Sequence, residues 1–237
     1  MKLRFFFPLL ACCVFAGCGE TSASVSGGKS IAKEALQESQ PMEDEVSGNL
    51  RFAVSKETLG LNPAFLEQRL GVPKIKNAYQ MEFELEGCSL NYGLDGTRVI
   101  SISVVIDSDC RIAIDERTIS SDTTFGDIYV EWARYIADCF ADCGNAYDPS
   151  VSLRLNGSRS NGFISISYGA DYDDTSDAQD VWANELRQRL GLGPFENPTD
   201  YEAMHCVQNP SPRVKSILAE VKVTRVYIFS NADPSYC

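Results

Sequence analysis

The chain reads as an α+β fold in which helices pack on antiparallel meander and hairpin sheets and disulfides tie the loops. Three observations predict it. Residues 123–143 carry an apolar stripe at helical spacing. The segments on either side of that stripe alternate apolar and polar residues with the period of half-buried strands. Of nine cysteines in 237 residues, six lie beyond an N-terminal segment that closes at Cys18, an even number that suits disulfides in an exported chain.

The central stripe runs through Phe125, Tyr129, Trp132, Ile136, Cys139 and Cys143, and Ile128, Tyr135 and Phe140 widen it into a face. Asp127, Glu131, Arg134, Asp138 and Asp142 fall mostly on the remaining surface, and Gly144 stands where a helix takes its left-handed stop. The spacing therefore predicts a core helix on which the sheets pack.

At the N-terminus, Lys2 and Arg4 precede an uncharged apolar run from Phe5 to Ala16. This has the form of a secretory signal peptide and is too short to span a bilayer. Ala16-Gly17-Cys18 closes it. That segment resembles the lipobox of bacterial lipoproteins, which implies a signal peptide of residues 1–17, with Cys18 acylated as the first mature residue. Phe15 departs from the aliphatic residue usual in that family. Cleavage before Cys12, after Leu9-Leu10-Ala11, and ordinary secretion are the alternatives. Gly19 rather than Asp follows Cys18, and the resemblance then implies a lipid anchor at the periplasmic face of the outer membrane. Several acyl chains hold firmly, because each buried methylene contributes about 0.8 kcal/mol.

Residues 18–49 are rich in Ser, Gly, Glu and Gln and read as a flexible tether. Gly28-Lys29-Ser30 imitates the end of a phosphate-binding loop, but Ala23 stands at the leading glycine position and no strand precedes it. The globular region is 50–237, as one domain or as two units, 50–118 and 119–237.

In the first of these, Asn62 is placed to cap a helix that Pro63 opens, Leu61 to staple to Leu66, and Gly71 and Pro73 to end it. Tyr79, Met81, Phe83 and Leu85 then alternate with Glu82, Glu84 and Glu86. Leu90, Tyr92 and Leu94 continue the pattern, Asp95-Gly96 supplies a two-residue turn, and Ile100, Ile102, Val104 and Ile106 return. On Gly60, Asn62, Leu66, Leu70, Gly71, Pro73, the strand from Tyr79 and the hairpin from Leu90 to Val99, residues 60–107 resemble outer-membrane lipoproteins of the BamE (SmpA/OmlA) type. The resemblance implies a binding and scaffolding module of barrel-assembly machinery. The same helix-plus-meander fold is reused in secreted enzyme inhibitors.

Beyond the polar stretch 115–122 and the central helix, Tyr147-Asp148-Pro149 reads as a turn. Val151, Leu153 and Leu155 pair with Ile164, Ile166 and Tyr168 as a second hairpin, and residues 178–190 form an amphipathic helix with Val181, Trp182, Leu186 and Leu190 on one face. Its end, Gln188-Arg189-Leu190-Gly191-Leu192, echoes Gln68-Arg69-Leu70-Gly71-Val72, either by coincidence or as the trace of a tandem unit. Pro212 opens a short helix through Leu218, and Val221, Val223, Tyr227 and Phe229 suggest a final strand.

Six cysteines allow fifteen pairings. The preferred set is Cys88 with Cys110, Cys139 with Cys143, and Cys206 with Cys237. A redox couple of Cys139 and Cys143 is disfavoured, because three residues separate them where oxidoreductases use two. Zinc is weaker still, since the single histidine, His205, adjoins Cys206 without a second thiol pair at structural-zinc spacing. Asp171, Asp173, Thr175 and Asp177 imitate half of a calcium loop, but Ser176 and Trp182 stand at its glycine and glutamate positions. The plainer account is helix capping by Ser176 or Asp177.

No metal, cofactor or catalytic residue is assigned. The formal charge of −12 becomes −14 once Lys2 and Arg4 leave with the leader, and the absence of clustered Lys and Arg argues against nucleic acid. Hydrolase motifs are missing, and 33 Asp and Glu residues offer carboxylate pairs without selecting one. The expectation is a non-catalytic binding or scaffolding module, membrane-held through its lipid anchor, with a protein partner in the cell envelope. The alternatives are an inhibitor or immunity-like protein against a basic target and, below that, a carboxylate enzyme.

Overall fold

The last strand among the described residues is a central strand of the sheet. The computed structural model describes residues 47–137, 151–157, 164–193 and 210–230. In chain order these form helices α1 (Gly48–Ala53) and α2 (Pro63–Leu70), strands β1 (Ile75–Lys76), β2 (Gln80–Leu85), β3 (Cys88–Leu94) and β4 (Val99–Val105), and a small hairpin β5 (Ile112–Ile114) and β6 (Arg117–Ile119). Helix α3 (Phe125–Ile128), strands β7 (Arg134–Ala137), β8 (Val151–Asn156) and β9 (Ile164–Gly169), helices α4 (Tyr172–Leu190) and α5 (Pro212–Ala219), and strand β10 (Arg225–Ser230) follow. Eight strands make one antiparallel sheet in the order β1-β2-β3-β4-β10-β9-β8-β7. The α+β class and the antiparallel meander are as the sequence predicts. Residues 50–118 and 119–237 share this sheet through β4 and β10, within the compact unit Asp44–Cys237.

Register explains the core. One row of directly paired residues crosses seven strands as Phe83, Leu90, Val104, Val226, Tyr168, Leu153 and Tyr135, and all seven are buried. A second row runs Met81, Tyr92, Ile102, Ile228, Ile166 and Leu155. Because side chains alternate across a strand, both rows lie on one face. Leu50, Leu66, Phe125, Trp182, Leu186, Val214 and Leu218 from the helices belong to the same buried cluster.

Local chemistry sets the helix ends. Asn62 Oδ1 accepts from the Ala64 N–H at 2.8 Å, Pro63 sits in the first turn, and the Gly71 N–H closes α2 on the Glu67 carbonyl. Ser211 Oγ caps α5 by accepting from the Val214 N–H at 3.2 Å. Helix α1, which begins inside the segment assigned to the tether, is capped by Ser47 and buries Leu50 and Ala53.

The central helix is corrected. Among the described residues of that stretch, 123–137, only Phe125–Ile128 is helical, opened by a capping box in which Thr124 and Asp127 satisfy each other's backbone groups, and 138–143 lie outside the described residues. Tyr129 then turns extended, and the burial of Ala133, Tyr135 and Ala137 has period two, with Trp132 61 % exposed. The helical stripe and the strand alternation share several apolar positions, and pairing of β7 with β8 decides between them. Gly144 and the turn at residues 147–149 lie outside the described residues.

Smaller departures have equally local causes. The β3–β4 connection is residues 95–98 rather than a two-residue turn, with Asp95 Oδ1 accepting from the Thr97 and Arg98 N–H groups. A register shift at Gly93/Leu94 puts Val99 inside and leaves Ile100 exposed. Tyr79 lies before β2 in a turn set by Asn77 Oδ1 and is 79 % exposed. The two-residue turn of the meander is instead Glu86-Gly87, both with positive φ, between β2 and β3. Part of the polar stretch 115–122 is hairpin: Asp115 and Glu116 make its tip, and Ile119 is buried. The Gly71 and Gly191 stops, despite their shared wording, differ in backbone, with ψ −161 against 25. Helix α2 precedes its meander, whereas α4 follows β9, so the echo marks two helix ends at different places in the topology.

Candidate functional site

The other face of the sheet carries its own ordered rows. Glu82, Asn91, Ser103, Tyr227, Ser167, Arg154 and Arg134 pair in succession across seven strands. Beside them run Gln80, Gly93, Ser101, Phe229, Ser165 and Asn156. Carboxylate therefore stands at the β2 end of the first row, arginine at the β7–β8 end, and Asn91, Ser103, Tyr227 and Ser167 between.

A cleft of about 830 Å³ opens over β8, β9 and β10 on this face. Serines and glycine form its floor, with Ser152 and Ser167 buried. Arg154, Arg225, Tyr227 and Phe229 line it from the sheet, and Asp171 and Tyr172 from the start of α4. Both arginines are held by aromatic neighbours. The Arg154 guanidinium lies 5.4 Å from the Phe229 ring centroid, within cation–π range. Arg225 Nη1 donates to Tyr227 Oη at 3.1 Å. That hydrogen bond, reinforced by the charges of Tyr227 and Asp171, outweighs partial desolvation and holds the Arg225 pKa above its ordinary value. Asp171 Oδ1 accepts from Thr224 Oγ1 at 3.2 Å, which ties the start of α4 to the segment leading into β10.

The sequence reading placed Tyr227 and Phe229 on one alternating face with Val221 and Val223. In the structure Val226 and Ile228 fill the core side of β10, while Tyr227 and Phe229 face the cleft. Val223 and Thr224 are bonded instead to Thr123 and Gly169, so β10 begins at Arg225 in the other phase. The available signal was Arg225, whose partners in a strand of alternating residues are Tyr227 and Phe229.

A second hollow, about 460 Å³, lies near β7, where Tyr129, Trp132, Arg134, Tyr135 and Lys215 meet. Tyr129 and Tyr135 stack at 5.8 Å and 15°, and Lys215 Nζ is 5.9 Å from the Tyr129 centroid.

Of the cysteines singled out, Cys88 and Cys110 come together, with their sulfurs 2.16 Å apart and both side chains buried. Cys18, Cys139, Cys143, Cys206 and Cys237, with His205, lie outside the described residues. The calcium-like run lies at the start of α4: Asp173, Thr175 and Asp177 are inside the helix, where Thr175 Oγ1 donates to the Asp171 carbonyl at 3.2 Å. Asp171 is the N-cap residue, not Ser176 or Asp177. Negative residues in that first turn suit the helix dipole. Among the described residues no His, Cys, Asp and Glu group is arranged to hold a metal ion, and no helix is long and apolar enough to cross a membrane. Comparison of the chain with family models, curated proteins and solved structures returns no match.

Proposed function

We propose that this chain is a non-catalytic binding or scaffolding module of the cell envelope, exported and lipid-anchored through Cys18. The observation that carries the reading is the cleft over β8–β10. It presents two arginines held against Tyr227 and Phe229 over a floor of small hydroxyl side chains. Aromatic and arginine anchors in a partly desolvated hollow are the groups on which protein interfaces concentrate their binding energy. The leader residues up to Cys18 and the BamE-like pattern of residues 60–107 support an envelope address at the periplasmic face of the outer membrane. An inhibitor or immunity-like role against a basic target is the second reading, favoured by Glu82 and Glu84 on the far part of the same face and by the −12 charge.

In-cell photocrosslinking tests this reading. A photoreactive residue replaces Ser103, beside Tyr227 on the cleft side of the sheet, in the full chain, and captured proteins are identified by mass spectrometry. Recovery of barrel-assembly or other envelope proteins supports the scaffold, and recovery of one soluble basic enzyme favours the inhibitor. No capture above that from the same residue placed at Asp122, on another surface, overturns both.

A further inference from the structure

We propose that the hollow beside β7 binds a neutral saccharide, one sugar ring stacking on Trp132 while its hydroxyls bond to Glu131, Arg134 and Lys215. The inference goes beyond the envelope-module reading and does not rest on it.

Backbone geometry fixes the platform. The Ala133 N–H donates to the Val130 carbonyl at 2.8 Å, which makes Glu131 and Trp132 the central residues of a turn. Both ends of that turn are anchored, because Val130 packs against the core cluster and Ala133 is buried. The turn therefore holds Trp132 out at the hollow, 61 % exposed. An indole carries a large apolar surface whose burial is favourable, and an anchored backbone lowers the ordering cost of binding there. Tyr129 lines the same hollow but is already engaged by Tyr135 and Lys215, which leaves Trp132 as the more open aromatic surface.

The lining selects the ligand. Glu131 stands there with Arg134 and Lys215, so a ligand of either charge meets repulsion as well as attraction. A purely apolar ligand would desolvate all three without a partner, which is costly. A polyhydroxyl ligand uses both signs, because each hydroxyl can donate to a carboxylate and accept from a cation. Among the described residues, neither Glu131 nor Arg134 takes part in an ion pair or side-chain hydrogen bond. A pyranose has the complementary anatomy: a rim of hydroxyls around a ring whose C–H bonds present a weakly positive, apolar face to the negative face of an indole. At about 460 Å³ the hollow matches small-molecule sites rather than an extended interface.

The test uses the purified full chain with cellotriose and chitotriose as ligands, sorbitol as an acyclic polyol and Gly-Phe-Gly as a peptide. The chain has two tryptophans, and Trp182 is 1 % exposed, so acrylamide quenching reports on Trp132. At least one trisaccharide should shift the emission to the blue and protect Trp132 from acrylamide. A Kd on the order of 1 mM is expected for one ring platform whose hydrogen bonds compete with water. Sorbitol and Gly-Phe-Gly should do neither at the same concentration. Saturation-transfer NMR should place the strongest signals on the sugar-ring C–H protons, and Trp132→Ala should abolish them. Glu131→Ala should weaken binding about tenfold, as loss of a charge-assisted hydrogen bond does, with the far-UV circular dichroism unchanged in both variants. If Trp132→Ala fails to fold, acrylamide protection in the unmodified chain carries the test. Absence of protection by both trisaccharides, an equal response to Gly-Phe-Gly, NMR signals that survive Trp132→Ala, or unaltered binding in Glu131→Ala overturns the saccharide assignment. Crosslinking from Ser103 is read separately, so the envelope-module reading and this one can each fail alone.

Discussion

Tyr92, on β3, donates its buried hydroxyl to the carbonyl oxygen of Ala53 at the end of α1, with an O···O distance of 2.9 Å. The bond joins the first helix to the sheet across 39 residues. Tyr92→Phe keeps the ring and its edge-to-face contact with Phe83 but strands a buried carbonyl. The expected loss is about 1 to 2 kcal/mol in urea unfolding, with the transition slope unchanged. A loss near zero means that water reaches Ala53.

Burial also makes this core sensitive to alkali. Desolvation pushes the Tyr135 and Tyr168 hydroxyls up to about 12 and raises Tyr92 as well. An unfolded tyrosine titrates near 10. The unfolded chain therefore releases these protons first and binds fewer of them than the folded chain in this range. Stability is fully present below about pH 10 and falls as pH rises from about 10 to 12. Melting temperatures across pH 8 to 12 should be level and then decline, and Tyr168→Phe should flatten the decline. A slope that Tyr168→Phe leaves unaltered rejects the assignment to that residue.

The Cys88–Cys110 bond spans a sequence separation of 22 and fastens the start of β3 to the loop after β4. On the chain-entropy model a loop of this size contributes about 3 kcal/mol. Replacing both cysteines by alanine should lower unfolding free energy by roughly that amount while preserving the circular dichroism spectrum. Non-reducing peptide mapping of the unmodified chain should recover Cys88 and Cys110 in one linked fragment.

Gly87 is required twice over. Its φ is +79°, and a Cβ there would lie 2.7 Å from the Asp109 carbonyl oxygen, beside Cys110. Gly87→Ala should cost about 1 to 3 kcal/mol, from the left-handed backbone and the contact together. Gly96→Ala has a similar φ of +92° but open space around it, so it should cost about 1 kcal/mol or less. Equal costs at the two sites remove the steric part of the argument.

Much of the fold was legible in local residues. Asn62-Pro63 and Ser211-Pro212 state helix starts that neighbouring backbone satisfies by itself. Met81, Phe83, Leu90, Tyr92, Ile102 and Val104 alternate cleanly because one face of a sheet is buried. The segment 123–137 misled because Phe125, Ile128 and Tyr135 fit a helix and a helix-to-strand passage equally well, and short apolar runs do not separate those periods. The cleft was not legible. Arg154 and Phe229 are far apart in sequence and meet because β9 stands between β8 and β10.

By itself the sequence determined what depends on near neighbours: the α+β composition, the caps of α2 and α5, and the alternation of the β2–β4 meander. Tertiary structure alone decided what depends on who pairs with whom. It inserted β10 between β4 and β9, changed the phase of that strand so that Val226 and Ile228 enter the core, and turned Tyr227 and Phe229 toward two arginines. The physical reason is register: a strand's two faces are fixed by its own alternation, but which face is buried is set by the strands beside it.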